Sequence, residues 1–268
     1  MRPAVRCLAV MAFVLSCSGL PCLAGASQNG ELQVVTEDWP PYDYLSASGE
    51  VAGINTALVR AVLKQAGLHA TVQMYPWARA YFMAQNRPNT LIFSMARSKA
   101  RENQFIWIGE LMRRDDRFYR AQGHHSVTPT SIADIKAHYT VCVVNKDIAE
   151  SDLQRLGFVQ NRNYIATPSF GDCMKMVQTG AVSLLINAPL SLQWEARQHR
   201  GEVHTSFESV LPLDASAQEP FYLAASLNTP LDIIKRLREA FSMLQQSGQL
   251  DNIRHQTAEQ DTLPPSAQ

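Results

Sequence analysis

Short apolar segments typical of β-strands alternate with amphipathic segments typical of helices along most of this 268-residue chain. The strand-like segments span residues 31–37, 70–75, 90–93, 105–108, 139–144, 164–166, 183–186 and 221–226. The helix-like segments span residues 54–66, 77–86, 147–156, 170–179 and 189–199, with a longer one after Leu231. Regular alternation of this kind predicts an α/β fold, in which helices cover the faces of one or more sheets.

The first 26 residues have the pattern of a secretory signal peptide. Arg2 and Arg6 precede an apolar run over residues 7–17 that is too short to span a membrane, and Ala24-Gly-Ala26 is a small-x-small cleavage site. Processing as a lipoprotein at Cys17 is the alternative. The pattern therefore predicts an exported protein located in the periplasm.

The charge balance and the cysteine content of the mature chain bear on nucleic-acid binding, disulfide formation and metal binding. Cleavage would remove two arginines and no acidic residue, leaving 22 basic against 24 acidic residues, a balance that does not favour nucleic-acid binding. Cys142 and Cys173 would remain, and an even pair in an exported protein predicts a disulfide, with two buried free thiols as the alternative. Neither these cysteines nor the dispersed histidines have metal-ligand spacing, so we expect no metal and no cofactor.

Three segments together resemble the bacterial extracellular solute-binding proteins of family 3, the amino-acid type of periplasmic binding protein. In the first, a strand runs into Asp38-Trp-Pro-Pro-Tyr42, a polar turn and a helix that begins near Ile54. The second is Ser94-Met-Ala-Arg-Ser-Lys-Ala-Arg-Glu102, followed by a strand. The third covers residues 173–187, with the order helix, glycine turn, strand and a terminal polar residue.

The resemblance implies a two-lobe periplasmic binding fold of type II, with a ligand cleft between the lobes. Two crossovers near residues 115–123 and 211–222 would connect the lobes. Lobe 1 would then comprise residues 27–118 and 213–268, and lobe 2 residues 119–212.

The resemblance also implies a set of ligand contacts. Arg101 matches the arginine that binds the ligand's α-carboxylate, a role its two parallel donors suit, and Arg97 is a nearby competitor. Asn187 stands where the family has an aspartate that receives the ligand's α-ammonium. Met95 and Ala96 stand where serine or threonine is common, while Ser94 keeps a hydroxyl at this site.

Aromatic and acidic residues complete the predicted cleft. The aromatic candidates for ligand contact are Trp39, Tyr42 and Trp77, whose rings offer rigid apolar faces or packing surfaces for the core. Glu37 and Asp147 are the acidic candidates. Glu37 is alternatively a partner for Arg79 or Arg101, and Asp147 is alternatively a helix cap that forms a capping box with Glu150.

The function implied is capture of a small polar, carboxylate-bearing, amino-acid-like solute by a monomeric protein that delivers it to the membrane permease of an ABC transporter. A module that signals to a membrane sensor is one alternative. A periplasmic enzyme resembling cyclohexadienyl dehydratases is another, with Glu37 beside Arg101. Catalytic motifs such as a nucleophile elbow or a phosphate loop are absent from the sequence, so we predict no enzymatic activity.

Overall fold

The computed structural model describes residues 31–123, 126–198, 206–213 and 219–262. The predicted signal peptide therefore lies outside the described residues. Twelve strands fall within them: β1 (Gln33–Thr36), β2 (Tyr44–Leu45), β3 (Val51–Ala52), β4 (Val72–Met74), β5 (Thr90–Ala96), β6 (Phe105–Met112), β7 (Arg117–Ala121), β8 (Val141–Val144), β9 (Tyr164–Thr167), β10 (Leu184–Asn187), β11 (Phe207–Pro212) and β12 (Phe221–Ser226).

The helices of the described residues surround these strands. They are α1 (Ile54–Gln65), α2 (Trp77–Asn86), α3 (Ile132–His138), α4 (Ile148–Arg155), α5 (Phe170–Gln178), α6 (Pro189–Gln198), α7 (Leu231–Gln246) and α8 (Gln249–Thr262). No helix in the described part of the chain combines the length and the apolar character needed to cross a membrane.

Most strands belong to two five-stranded mixed sheets, and β2 and β3 form a separate hairpin. The first sheet has the order β4-β1-β5-β12-β6, with β1 parallel to both of its neighbours and β12 antiparallel to both of its own. The second has the order β11-β7-β10-β8-β9, with β8 parallel to β9 and β10. The predicted α/β class is confirmed.

The chain changes sheets twice. It leaves the first sheet after Met112 and enters the second at Arg117, and it returns between Pro212 and Phe221. The lobe boundaries proposed from the sequence stay a prediction, because they assign every loop residue as well as the strands.

A buried arginine joins the two connections between the sheets. Arg114, in the first connection, has a fully buried side chain that contacts Asp116 at 2.5 Å and Asp152 of α4 at 2.7 Å. A carboxylate oxygen of Glu219, in the second connection, lies 3.7 Å away. The three carboxylates offset the cost of removing the guanidinium from water. Any one of these charged groups, buried here without its partners, would carry that desolvation cost uncompensated.

Helix α7 packs tightly against the first sheet because a glycine leaves room for an aromatic ring. Gly109 of β6 faces Phe241 of α7, and a Cβ atom built on this glycine would lie 2.4 Å from the ring. The 3.6-residue period of the sequence predicts one apolar face formed by Leu231, Ile234, Leu237, Phe241 and Leu244. The last four are buried in the core with the first sheet and α1, whereas Leu231, at the first residue of the helix, is 81% exposed.

Helix α3 and strand β11 are among the elements that the sequence pattern did not predict. Helix α3 begins after Ser131, whose hydroxyl accepts a hydrogen bond from the amide of Asp134 at 3.1 Å. Strand β11 pairs antiparallel with β7 at an edge of the second sheet. The histidine pair at positions 124 and 125 lies outside the described residues.

Cys142 of β8 and Cys173 of α5 form a disulfide, with Cα atoms 5.4 Å apart and a sequence separation of 31. Both sulfurs are buried beside Thr167 of β9. The bond therefore joins a strand and a helix of the second sheet's layer.

We expect the Cys142→Ser, Cys173→Ser double variant to lose about 2–4 kcal/mol of unfolding free energy, since a loop of this length restricts the unfolded chain when it is closed. Urea unfolding of both proteins under oxidising conditions measures this. Equal midpoints for the two proteins would contradict a disulfide in the folded protein.

Candidate functional site

The candidate site is a narrow cleft between the two sheets, partly open to solvent, with a free volume of about 30 Å³. Its walls come from the segment that follows β1, from the last residues of β8 and β10, from the residue before β7, and from the starts of α4, α5 and β12. The lining residues are Glu37, Asp38, Trp39, Asp116, Val143, Val144, Asp147, Ala149, Phe170, Cys173, Ile186, Asn187 and Phe221. A cleft at the carboxyl ends of parallel strands is the usual ligand position in open α/β sheets.

Four carboxylates line this cleft, and no lysine, arginine or histidine is among the residues of its described lining. Burial raises the pKa of Glu37 well above its usual value, and the charge of Asp147 raises it further, while Arg101 lowers it. Burial also raises the pKa of Asp38. Burial therefore makes ionisation of Glu37 and Asp38 costly, and a cation placed beside them would relieve that cost.

Asp147 belongs to the cleft and to a helix start at the same time. Its carboxylate accepts a hydrogen bond from the amide of Ile148 at 2.5 Å, which caps α4. Burial raises the pKa of Asp147, and the guanidinium groups of Arg114 and Arg101 oppose that rise. The two alternatives considered for this residue, a cap and a cleft acid, are therefore compatible.

The predicted capping box differs in one detail. The carboxylate of Glu150 accepts a hydrogen bond from the amide of Lys146 at 2.6 Å, and not from the amide of the cap residue Asp147. The amide of Asp147 instead donates to the carbonyl of Val144 at 3.2 Å. Glu150 thus reaches one residue further back, which fixes the backbone of Lys146 beside the cleft.

Trp39 and Asn187 meet across the cleft. The indole N–H of Trp39 donates to Oδ1 of Asn187 at 2.8 Å, and the same oxygen accepts from the amide of Ala188 at 2.8 Å. Asn187 is 5% exposed, and its Nδ2 has no hydrogen-bond partner among the described residues. The side chain that was expected to accept a bond from a ligand therefore has its acceptor occupied and its donor free.

The loop that carries Trp39 is held by its own aromatic residues and by a glycine. The ring of Trp39 lies 4.4 Å from that of Tyr42 and 4.9 Å from that of Phe221, measured between centroids. Gly53 has φ 113°, and a Cβ atom there would lie 2.4 Å from the carbonyl oxygen of Tyr42. Tyr42 is buried behind Trp39 and does not line the cleft.

Trp77 and Arg101 lie beside the cleft without lining it, because both are engaged by one backbone carbonyl. The indole N–H of Trp77 donates to the carbonyl of Lys146 at 2.9 Å, and Nη2 of Arg101 donates to the same oxygen at 3.0 Å. Nη1 of Arg101 donates to the carbonyl of Ala96 at 3.3 Å. Arg101 is 5% exposed, and its guanidinium lies over the rings of Trp77 and Tyr81.

The two competing arginines are occupied elsewhere. Arg97 forms hydrogen bonds with both carboxylate oxygens of Glu102, at 2.9 and 2.5 Å. Arg79 lies over the ring of Tyr75 at 4.4 Å. No described hydrogen bond or ion pair joins Glu37 to Arg79 or Arg101, so the alternative of Glu37 as a direct partner of either is not what the structure shows.

Ser94, Met95 and Ala96 lie beneath the site in the buried strand β5 and do not line the cleft. The hydroxyl of Ser94 donates to a carboxylate oxygen of Asp43 and accepts from Nδ2 of Asn55 at 2.9 Å. Its hydrogen-bonding capacity is therefore used inside the protein. Burial raises the pKa of Asp43 to about 7, although hydrogen bonds from Ser94 and neighbouring hydroxyls lower it.

Sequence reasoning placed four of its candidates in the lining: Glu37, Trp39, Asp147 and Asn187. The lining residues that it missed include two acids, Asp38 and Asp116, and three apolar residues, Phe170, Ile186 and Phe221. Phe170 and Phe221 were predicted to start a helix and a strand, and such termini are where cleft residues collect in α/β folds. Within the described residues, no group of three or more histidine, cysteine or acidic side chains is arranged to hold a metal ion.

The titration of Asp43 predicts how the unfolding free energy depends on pH. A buried acid with a folded-state pKa of about 7 binds more protons in the folded state than in the unfolded state between about pH 4 and pH 7. Stability contributed by the protonated form is present below this range and is lost as pH rises through it. We expect the difference in stability between pH 5 and pH 8 to shrink in Asp43→Asn, measured by urea unfolding, with Asp232→Asn at an exposed position as the control. An identical pH dependence in Asp43→Asn and the parent protein would contradict the raised pKa.

The model of the bacterial extracellular solute-binding proteins, family 3, matches residues 32–257 of the chain. No curated protein sequence matches the chain significantly. Solved structures show the same fold at low sequence identity, so that they establish fold alone.

One similar structure is a histidine kinase sensor domain with similarity to periplasmic binding proteins, at a TM-score of 0.74 and 18% identity, covering 85% of this chain and 95% of that one. Another is the arginine-, lysine-, histidine-binding protein ArtJ from Geobacillus stearothermophilus, at a TM-score of 0.73 and 16% identity, covering 88% of this chain and 97% of that one. A third is the GluR0 ligand-binding core from Nostoc punctiforme with L-glutamate, at a TM-score of 0.68 and 17% identity, covering 84% of this chain and 98% of that one. They confirm the predicted two-lobe, type II periplasmic binding fold.

Proposed function

This chain belongs to the bacterial extracellular solute-binding proteins of family 3, and we propose that it captures a small, positively charged, amino-acid-like solute in the cleft between its two sheets. The observation that carries the proposal is the described lining of that cleft, which holds four carboxylates and no basic side chain; only Asp116 among them forms a salt bridge, with Arg114. Export to the periplasm and delivery of the solute to an ABC permease are part of the proposal. Both follow the pattern of the family.

The acids favour a cation for an electrostatic reason. Glu37 and Asp147 approach each other closely enough that the charge of Asp147 raises the pKa of Glu37 after burial has already raised it. A ligand ammonium or guanidinium between them would attract both carboxylates and lower both pKa values. The arginine-, lysine-, histidine-binding protein of similar fold makes cationic amino acids the first solutes to test.

The apolar part of the lining suits the carbon chain of such a solute. Trp39 and Phe221 form one apolar surface, and Phe170 and Ile186 lie in the opposite layer. Burying methylene groups between these surfaces contributes about 0.8 kcal/mol for each group. A solute with a cationic head and a short aliphatic chain therefore fits both the charge and the apolar character of the cleft.

We expect purified protein to be stabilised in a thermal-shift screen by arginine, lysine or ornithine more than by glutamate or leucine. A ligand at about 100 times its dissociation constant contributes roughly 2.7 kcal/mol of stability.

Glu37→Gln and Asp147→Asn should each weaken binding of the cationic solute by at least about tenfold, whereas the exposed Glu239→Gln should leave it unchanged. Affinity should rise with pH while the two acids lose their protons. Stabilisation by anionic solutes alone would contradict the proposal.

Arg101 was predicted to hold the solute's carboxylate, and the closed cleft suggests a different contribution. Its guanidinium binds the carbonyl of Lys146 and lies outside the lining, so we propose that it helps to hold the two sheets closed around the solute. The carboxylate contact would require Lys146 to withdraw from Arg101.

Arginine and its decarboxylated analogue agmatine separate these two roles. If Arg101 supports closure, Arg101→Ala lowers the affinities for arginine and agmatine by the same factor, which is the result we expect. If Arg101 holds a carboxylate, arginine alone loses about 2–5 kcal/mol of binding free energy. Isothermal titration calorimetry measures both, and Arg97→Ala, whose guanidinium is paired with Glu102, is the matched control.

Sensing is the second candidate, because a histidine kinase sensor domain has the same fold at a TM-score of 0.74. In that case the closed form would present its surface to a membrane sensor. Reconstitution with the permease and with the sensor kinase of the same cell separates import from signalling. Incubation of the protein with a cyclohexadienyl acid tests the dehydratase alternative, for which turnover is the criterion.

A further inference from the structure

The side chain amide of Asn187 has a fixed orientation in the cleft wall. Its Oδ1 accepts two hydrogen bonds, from the indole N–H of Trp39 and from the amide of Ala188, both at 2.8 Å. Both donors are N–H groups that cannot accept a hydrogen bond, so exchanging the amide oxygen and nitrogen would put donors against donors. The oxygen is therefore turned toward the protein, and the nitrogen is the group left for another partner.

That nitrogen is buried and unpartnered. Asn187 is 5% exposed, it lines the cleft, and its Nδ2 has no hydrogen-bond partner among the described residues. A buried N–H group without an acceptor is costly, because it has lost its water and gained nothing in return. Such a group in the wall of a ligand cleft is satisfied when a ligand supplies the acceptor.

We propose that Asn187 determines specificity by donating a hydrogen bond from Nδ2 to an acceptor oxygen of the solute, its carboxylate, and that it excludes an ammonium from this position. This inference rests on the proposed function and adds the orientation of the solute. The cationic group faces Glu37 and Asp147, and the carboxylate faces Asn187.

The charges of the cleft agree with this orientation. Asn187 contributes no negative charge, whereas Glu37 and Asp147 are carboxylates of the same lining. An ammonium beside Nδ2 would meet a donor and would leave that donor unsatisfied. A carboxylate beside Nδ2 satisfies it, and the amide carries no charge that would repel the oxygen.

Asn187→Asp tests the proposal because it changes little else. An aspartate keeps the same shape and still accepts hydrogen bonds from Trp39 and Ala188, but it replaces the free donor with a charged acceptor. Asn252→Asp adds the same charge on the exposed surface of α8 and is the matched control. The ligands are arginine, agmatine without the carboxylate, and 5-guanidinopentanoate without the α-ammonium, measured by isothermal titration calorimetry.

We expect Asn187→Asp to lower the affinity for arginine and for 5-guanidinopentanoate by about tenfold or more. The affinity for agmatine should be unchanged or higher. The control should bind all three ligands like the parent protein. Tighter binding of arginine by Asn187→Asp, with no gain for 5-guanidinopentanoate, would place the ammonium at residue 187 and overturn the proposal. Equal effects on all three ligands would overturn it as well.

The parent protein alone also provides a test, which holds if the variant does not fold. Removal of the carboxylate, from arginine to agmatine, should weaken binding by about tenfold or more; equal affinity for the two would overturn the proposal. Lysine, cadaverine and 6-aminohexanoate form a second series for the same comparison. If the parent protein binds no ligand of either series, the proposed capture of a cationic solute fails, and the role of Asn187 fails with it. If arginine or lysine binds but the preferences are reversed, only the role of Asn187 fails.

Discussion

The closed arrangement of the two sheets depends on the carbonyl oxygen of Lys146. This oxygen accepts hydrogen bonds from Trp77 and from Arg101, both of which belong to the layer of the first sheet. Lys146 can present it because its backbone is in the left-handed region, at φ 63°, and because Glu150 binds its amide. One acceptor from the second layer thus satisfies two buried donors of the first, and separating the layers would return both donors to water. A second connection, from Trp39 to Asn187, lies on the cleft itself.

The distribution of charge around the cleft divides it into two parts with different tasks. Arg101 and Arg114 lie outside the lining, where they moderate the pKa of Asp147 and bind carbonyl or carboxylate oxygens of the protein. The carboxylates face the cleft, where burial makes their charge costly. The positively charged side chains therefore bind groups of the protein itself, whereas the negatively charged side chains face the space that a solute would occupy. Buried ion pairs of this kind offset the cost of burying their own charges, so that they add little net stability to the fold.

Local patterns in the sequence were sufficient for most of the elements. Helix α2 has the predicted bounds, Trp77–Asn86, because a proline and an extended loop enclose a clear amphipathic period. Helix α3 and strand β11 were missed, since α3 has only one buried residue, Ile135, and β11 is an edge strand whose pairing with β7 is not encoded locally. Pairing with a distant strand forms β11, whereas α3 has a local N-cap at Ser131 and little apolar pattern to reveal it.

The site was less predictable because its chemistry depends on which donors and acceptors are already used. Sequence reasoning could place Arg101, Ser94 and Asn187 near the cleft but could not show their partners. The hydroxyl of Ser94 is occupied by Asp43 and Asn55, and Arg101 by two backbone carbonyls. Each of these partners is remote in sequence or belongs to the main chain. The free group at Asn187 is likewise defined by its neighbours, Trp39 and Ala188.

The disulfide has a consequence for the entropy of binding. It joins β8 to α5, and both of these elements contribute residues to the same cleft wall: Val143 and Val144 from the strand, Phe170 and Cys173 from the helix. A wall that is covalently braced has little conformational freedom left to lose when a solute arrives. Ordering costs then fall on the opposite wall, where the aromatic loop of Trp39 has no such brace. Association gains from a receptor that is preorganised on one side, so the second layer acts as a rigid template against which the first layer closes.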